Sequence, residues 1–280
     1  MSLSLSSVIK LNDQVQMPQL GFGTYKITDL GEMETAINQA LKVGYRSFDT
    51  AQLYKNEREL GTALRKSGYN RQDYLVTSKV DNKNQGYDQT LKAFDQILND
   101  LQMDYIDLFL VHWPLSNTFF DTWKAFERIY EEKRAKAIGV CNFNISHLEL
   151  LATKANIKPM INQIELHPYL TQPKLVQYLN QENIAIEAWS PLARGKINDE
   201  KLLIDLGEKY QKSPTQVTLR WHMQKGHIAI PKSSNPSRIA DNINIYDFNL
   251  TDGEITSIDQ LNQDFRTGPN PDDVYKKNGF

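Results

Sequence analysis

Residues 75–112, LVTSKVDNKNQGYDQTLKAFDQILNDLQMDYIDLFLVH, carry the reading that decides the fold. A short β-branched run (75–79) gives way to a helix-period segment (87–101), which returns to a second β-branched and aromatic run (106–112). Strand, helix and strand in this order make a βα repeat, whose two strands lie parallel because the helix carries the chain back.

The same alternation extends in both directions. Strands are expected at 20–24, 45–49, 75–79, 106–112, 136–141, 160–163, 185–189 and 228–231, eight in all, the number that closes a parallel barrel. Helices are expected at 31–42, 57–66, 87–101, 121–132, 146–153, 172–180, 200–210, 214–225 and 236–242. Gly44 and Gly68 follow the first two, where glycine permits the left-handed turn that stops a helix. Ser213 before Pro214 reads as an N-cap, and Thr251 with Glu254 as a capping box opening a last helix to about Leu261. Ahead of the first repeat, 8–11 and 15–17 flank the polar Asn12-Asp13-Gln14, a hairpin able to cap one end of a barrel. The fold class is therefore α/β, a single (β/α)8 barrel domain over 1–280 with an N-terminal hairpin and extra C-terminal helices. The tail from Arg266 to Phe280 is expected as either an ordered surface flap or a frayed end. A doubly wound sheet would place a three-glycine fingerprint after the first strand, and Gly21-Phe22-Gly23-Thr24 lacks the third glycine.

Composition narrows the function classes. An apolar share of 40% with 24% charged residues suits a chain that buries a sizeable core. A formal charge of −2 offers nucleic acid no excess of positive charge, and no apolar run approaches a membrane span. Residues 1–7 alternate Leu and Ser without a basic stretch, so an untargeted cytoplasmic protein is expected. The lone Cys141 can form neither an intramolecular disulfide nor a thiolate zinc site by itself. His147, His167, His222 and His227 lack metal-ligand spacing and are expected in structural or solvent-facing roles, with no metal.

Asp49, Tyr54, Lys79 and His112 stand at or just beyond the carboxyl ends of successive strands, which converge on one rim in a barrel. A phenol can protonate a developing alkoxide; a neighbouring Lys79 ammonium would lower its pKa, and Asp49 would hold Lys79 charged. Neutral His112 could donate a hydrogen bond to a carbonyl oxygen as negative charge gathers there. Taken singly, each of these residues has a plain structural explanation: an ion pair, a packing tyrosine, a satisfied core histidine.

The stretch Phe48-Asp49-Thr50-Ala51-Gln52-Leu53-Tyr54-Lys55-Asn56-Glu57 resembles the first signature of the aldo-keto reductase family. Leu110 to Pro114, Ala137 to Phe143 and Ile230 to Ser234 resemble three more of its signatures, in the family's order and over essentially the whole chain. The short Leu115–Phe120 loop and brief tail are similar to compact microbial members of the 2,5-diketo-gluconate reductase type. The resemblance implies that Asp49, Tyr54, Lys79 and His112 form a catalytic tetrad reducing an aldehyde or ketone with NADPH.

It also implies how NADP is held. Gly23 and Thr24 lie on the cofactor side, Asn142 and Gln163 meet the nicotinamide carboxamide, and Trp189 stacks on the ring. Ser190 and Leu192 belong to a pyrophosphate strap. Lys232, Ser233 and Arg238 receive the 2′-phosphate, favouring NADPH over NADH, and Asn242 meets the adenine. Tyr25, Trp113 and His112 face a small-molecule carbonyl substrate in a pocket left open by the compact rim. Three positions depart from the family pattern: Cys141 for serine, Asp241 for glutamate, and Lys133 for the glycine ending the helix before the fifth strand. Lys133 implies either a strained turn or a different loop.

Two rivals remain. A regulatory barrel would bind NADPH without turnover, as related channel β-subunits do, and is expected to carry an added N-terminal segment. A sugar-phosphate isomerase would need a carboxylate base and no nicotinamide, which Asn142, Gln163 and Trp189 oppose. A monomer is expected.

Overall fold

The computed structural model describes residues 3–279. Met1 and Ser2 of the opening Leu/Ser stretch and Phe280 of the tail lie outside them.

The chain begins with the expected antiparallel hairpin, in which β1 (Val8–Lys10) pairs with β2 (Gln16–Pro18). Asn12 forms the turn: its side-chain oxygen accepts from the N–H groups of Gln14 (2.9 Å) and Val15 (2.8 Å). Its amide donates to the Lys136 carbonyl at 2.8 Å, tying the hairpin to the rest of the fold.

Eight parallel strands follow, each paired with the next: β3 (Phe22–Gly23), β4 (Ser47–Asp49), β5 (Leu75–Val80), β6 (Ile106–Val111), β7 (Ala135–Cys141), β8 (Ile161–Glu165), β9 (Ala185–Trp189) and β10 (Ile228–Ala229). The last strand returns to the first. Leu20 bridges Ala229 in parallel, and Gly21 N–H donates to the Ala229 carbonyl (2.9 Å) and Gly23 N–H to that of Pro231 (3.1 Å). This seam closes a barrel and removes the free edges of an open sheet. The regular ladder is shorter there than the runs 20–24 and 228–231, and the two strands approach so closely that a Cβ at Gly23 would lie 3.0 Å from the Ile230 carbonyl oxygen.

The helices are α1 (Leu30–Val43), α2 (Glu57–Lys66), α3 (Tyr87–Leu101), α4 (Phe119–Glu131), α5 (Ile145–Ala152), α6 (Pro173–Gln181), α7 (Lys201–Tyr210), α8 (Pro214–Gln224), α9 (Pro236–Ile243), α10 (Asp252–Asp259) and α11 (Pro271–Lys277). Gly44 ends α1 at φ 112°, and Ser213 and Thr251 each complete a capping box. Lys133 takes the strained option, a left-handed turn at φ 60° after α4. The tail is ordered as α11, whose Val274 packs with Trp113 and Leu115. No helix of the described residues is long and apolar enough to cross a membrane.

The barrel interior is stratified. Val15 and Met17 from the hairpin join Leu108, Leu110, Ala137, Ile161 and Ile228 in an apolar floor. Outside the strands, Phe109 stacks on Phe126 at a centroid distance of 4.2 Å and meets Phe94 edge to face at 4.8 Å, beneath α3 and α4.

Candidate active site

Side chains alternate along a strand, so one inward apolar residue fixes which polar residues also face inward. On β6, Leu108 and Leu110 line the floor and His112 follows just beyond the strand; on β5 the inward series reaches Lys79, and on β4 it reaches Asp49. The register sets Asp49 beside Thr77 and Lys79 beside Leu110, so each of the three groups stands two residues beyond the level of the one before it along neighbouring strands.

Lys79 is completely buried, and its Nζ donates to Asp49 Oδ1 (2.7 Å), Asp49 Oδ2 (2.8 Å) and the Thr50 carbonyl (2.9 Å). Burial, the largest single influence, pulls the Lys79 pKa down, but the Asp49 carboxylate together with Tyr54 and Cys141 more than offsets it and holds the ammonium above its ordinary value. The same Nζ lies 3.4 Å from the Tyr54 hydroxyl. Tyr54 sits on a single helical turn (Gln52–Tyr54) after β4, and the Tyr25 and His112 rings stand 4.9 and 6.0 Å from its own.

The sequence led us to expect that Lys79 lowers the Tyr54 pKa. Lys79 does act in that direction, but burial is the larger influence and pushes the phenol above its ordinary value. Tyr54 is therefore a protonated donor at neutral pH. His112, buried and facing Lys79, is held well below the usual histidine range and is a neutral imidazole.

The other expected site residues fall into groups. Asn142, in a left-handed conformation at φ 64°, accepts the Trp189 indole N–H (2.8 Å) and donates to the His112 carbonyl (3.0 Å). Gln163 turns its Nε2 inward, towards Asp49, and its Oε1 accepts the Cys141 thiol at 3.5 Å. Burial pushes that thiol up, so Cys141 is a neutral, weak donor. Thr24 is buried with its hydroxyl on the Asp49 carbonyl (2.8 Å), and Gly23 belongs to the barrel seam. Tyr25 is 47% exposed at the mouth, while Trp113 is almost covered by the tail.

Ser190 and Leu192 begin a loop in which Ser190, Ala193, Arg194 and Gly195 all have positive φ, a backbone that turns its N–H groups rather than continuing a strand. Lys232 and Arg238 are exposed beside the N-terminal turn of α9, and neither forms an ion pair among the described residues. Ser233 and Asn242 are buried next to them. Two uncommitted cations at a helix N-terminus suit a phosphate dianion and the Trp189 ring suits a planar nicotinamide, so these residues fit NADP, while the N–H groups of the Asn142 and Gln163 amides are taken up within the protein by His112, Cys141, Asp49 and Glu187.

Sequence reading missed what holds Trp189 in place. Buried Glu165 on β8 accepts from the N–H and hydroxyl of Thr267 (2.5 Å each) and from Gly268 N–H (3.3 Å). A Cβ at Gly268 would lie 2.5 Å from the Trp189 ring, so the glycine lets the C-terminal segment lie against it. Glu187, two residues before Trp189 and so on the same strand face, was also overlooked; that period of two was the available signal. A cavity of about 640 Å³ opens elsewhere, between the N-termini of α5 and α6 and residues such as Asn262 and Arg266. It contains none of the cluster around Lys79. The four other histidines are all buried, and no group of three His, Cys, Asp or Glu among the described residues could hold a metal.

Comparison with known proteins agrees over nearly the full length. The family described as Aldo/keto reductase matches residues 19–263. The glyoxal reductase of Bacillus subtilis (strain 168) is 46% identical over 274 residues, covering 98% of this chain and 99% of that one. The methylglyoxal reductase of Escherichia coli (strain K12) is 44% identical over 270 residues, 95% of this chain and 97% of its own. The Bombyx mori aldo-keto reductase solved in complex with NADP superposes with a TM-score of 0.90 at 33% identity, covering 98% of both chains.

Proposed function

This chain belongs to the aldo/keto reductase family, and from that premise we propose that it reduces an aldehyde or ketone to the alcohol with NADPH, Tyr54 supplying the proton. The observation that carries the reading is the Lys79 ammonium, locked onto Asp49 and 3.4 Å from the Tyr54 hydroxyl at the barrel rim, with neutral His112 facing the same ring.

When bound, NADPH supplies the hydride that the side chains cannot. Tyr54 donates its proton to the carbonyl oxygen as charge develops there; an alkoxide is basic enough to take it even from a phenol whose pKa burial has raised. Lys79 steadies the phenolate left behind, and Asp49 keeps Lys79 charged and fixed. His112, neutral, orients the carbonyl by donating a hydrogen bond. Trp189, Asn142 and Gln163 would hold the nicotinamide, Ser190 and Leu192 the pyrophosphate, Lys232, Ser233 and Arg238 the 2′-phosphate, and Asn242 the adenine. Gly23 and Thr24 shape the wall beside it, while Tyr25 and Trp113 frame the substrate. The names of the relatives favour small dicarbonyls such as glyoxal and methylglyoxal as substrates. We read the chain as a cytoplasmic monomer forming one barrel domain.

NADPH consumption with glyoxal, methylglyoxal and simple aldehydes tests the proposal. Tight NADPH binding with no turnover on any of them would favour a regulatory barrel instead. Arg238→Ala is expected to weaken NADPH binding by roughly 10- to 100-fold, as loss of a charge-assisted contact implies, and to leave NADH nearly unchanged. Equal losses for the two would remove Arg238 from the 2′-phosphate site.

A further inference from the structure

Beneath the Asp49–Lys79 pair the barrel holds a second carboxyl group, Glu187 on β9, completely buried. Gln163 Nε2 donates to Asp49 Oδ2 and to Glu187 Oε2, at 2.8 Å in each case, so one amide ties the two carboxyls together. The Lys79 ammonium is committed to both oxygens of Asp49 and to the Thr50 carbonyl. Glu187 Oε1 has no hydrogen-bond partner among the described residues.

One buried ammonium balances one carboxylate. A second ionised carboxylate in the same enclosure, held by a single N–H, would be an uncompensated charge, which buried sites avoid by keeping the proton. The groups facing Glu187 are Asp49 from β4, Lys79 from β5, Cys141 from β7 and Gln163 from β8, while β10 presents the uncharged Ile228 alongside. Burial and then the Asp49 charge push Glu187 up to about 7, against weaker pulls from Gln163 and Lys79.

We propose that Glu187 is a positioning residue held as a neutral acid, whose ionisation adds a negative charge that acts through Gln163 and the Asp49–Lys79 pair on Tyr54 and slows carbonyl reduction. The added charge disfavours the phenolate that Tyr54 becomes and opposes the negative charge gathering on the carbonyl oxygen. The Glu187 proton goes to solvent and takes no part in the reduction. The inference rests on the proposed carbonyl reduction.

The test is the single-turnover rate of aldehyde reduction with NADPH from about pH 6 to about pH 8, in the wild type and in Glu187→Gln, which mimics the neutral acid. A charge in such a cluster shifts a neighbour's pKa by about one unit, and between these pH values Glu187 goes from about one tenth to about nine tenths ionised, so the wild-type rate is expected to fall by up to about fivefold while the variant stays flat. Equal falls in both overturn the proposal. Infrared spectroscopy of the protein alone supplies a readout that needs neither turnover nor that variant: a buried protonated-carboxyl band that disappears over the same pH range. Glu57 on α2, bonded by Ser78 at 2.5 Å and likewise pushed up to about 7, would give a similar band. The spectrum is therefore taken on Glu57→Gln, where a remaining band supports Glu187 and no band overturns it. A protein that shows the band yet reduces no carbonyl would refute the activity and leave the proton assignment standing.

Discussion

Two clusters of titratable residues lie in this fold with little or no access to solvent, and burial has had opposite results in them. At the carboxyl ends of β4, β5 and β6, Lys79 stays charged because the Asp49 carboxylate meets it at 2.7 Å. Between α8 and β10, His222 and His227 stand 5.7 Å apart beside Trp221, and neither ring pairs with a carboxylate among the described residues. Burial holds His222 well below the usual histidine range and pushes His227 down to about 3; neither nitrogen of His227 has a hydrogen-bond partner among the described residues. Burial thus removes charge unless a counter-charge is built in. Chemistry is supported in the cluster where the counter-charge exists and an exposed ring, Tyr25, marks a mouth.

The sharpest test of that contrast is Tyr54→Phe, which removes the proton donor and keeps the ring. Loss of a general acid is expected to lower kcat by about 10²- to 10⁴-fold, with NADPH binding, read by fluorescence, unchanged. Turnover near the wild-type level would show that the charged cluster is merely structural. Next in size is Lys79→Met, which strands Asp49 in the interior. Urea unfolding at neutral pH should reveal a loss of about 3–5 kcal/mol, as for other broken buried pairs; a loss below about 1 kcal/mol would mean that the pair is not coupled as drawn.

The smallest effect belongs to the histidine cluster. The folded pKa of His227 lies below its unfolded value, so its stabilising contribution is full above about 6.5 and is lost as pH falls towards about 3. His227→Phe keeps an aromatic ring against Trp221 and discards the two unpartnered nitrogens. Acid titration monitored by circular dichroism should show the variant unfolding at lower pH, with a gain of about 1–3 kcal/mol near pH 4. An unchanged acid midpoint would locate the proton uptake elsewhere.

Much of this was legible in the chain because it is local. The βα alternation announced eight strands, and capping residues such as Ser213 and Thr251 marked helix starts that the structure reproduces. The strand-end positions of Asp49, Lys79 and His112 could be read for the same reason. The tail was less legible: Pro, Gly and Asn fit a flap or a loose end equally well, and the choice fell to Val274 packing on Trp113 and Leu115. Lys133 shows the same limit, since its place after the helix offered a strained turn or a different loop and the sequence did not choose between them.

What the sequence by itself determined is periodicity: which residues share a strand face, where helices begin, and hence which polar groups reach the rim. What only the tertiary structure decided is balance. The net pKa of Tyr54 depends on desolvation set against Lys79, the inward turn of the Gln163 amide on two carboxyls from β4 and β9, and the fit of Gly268 against Trp189 on a segment distant in the chain. Those quantities depend on distances between strands and on the exclusion of water, and neither exists until the barrel has closed.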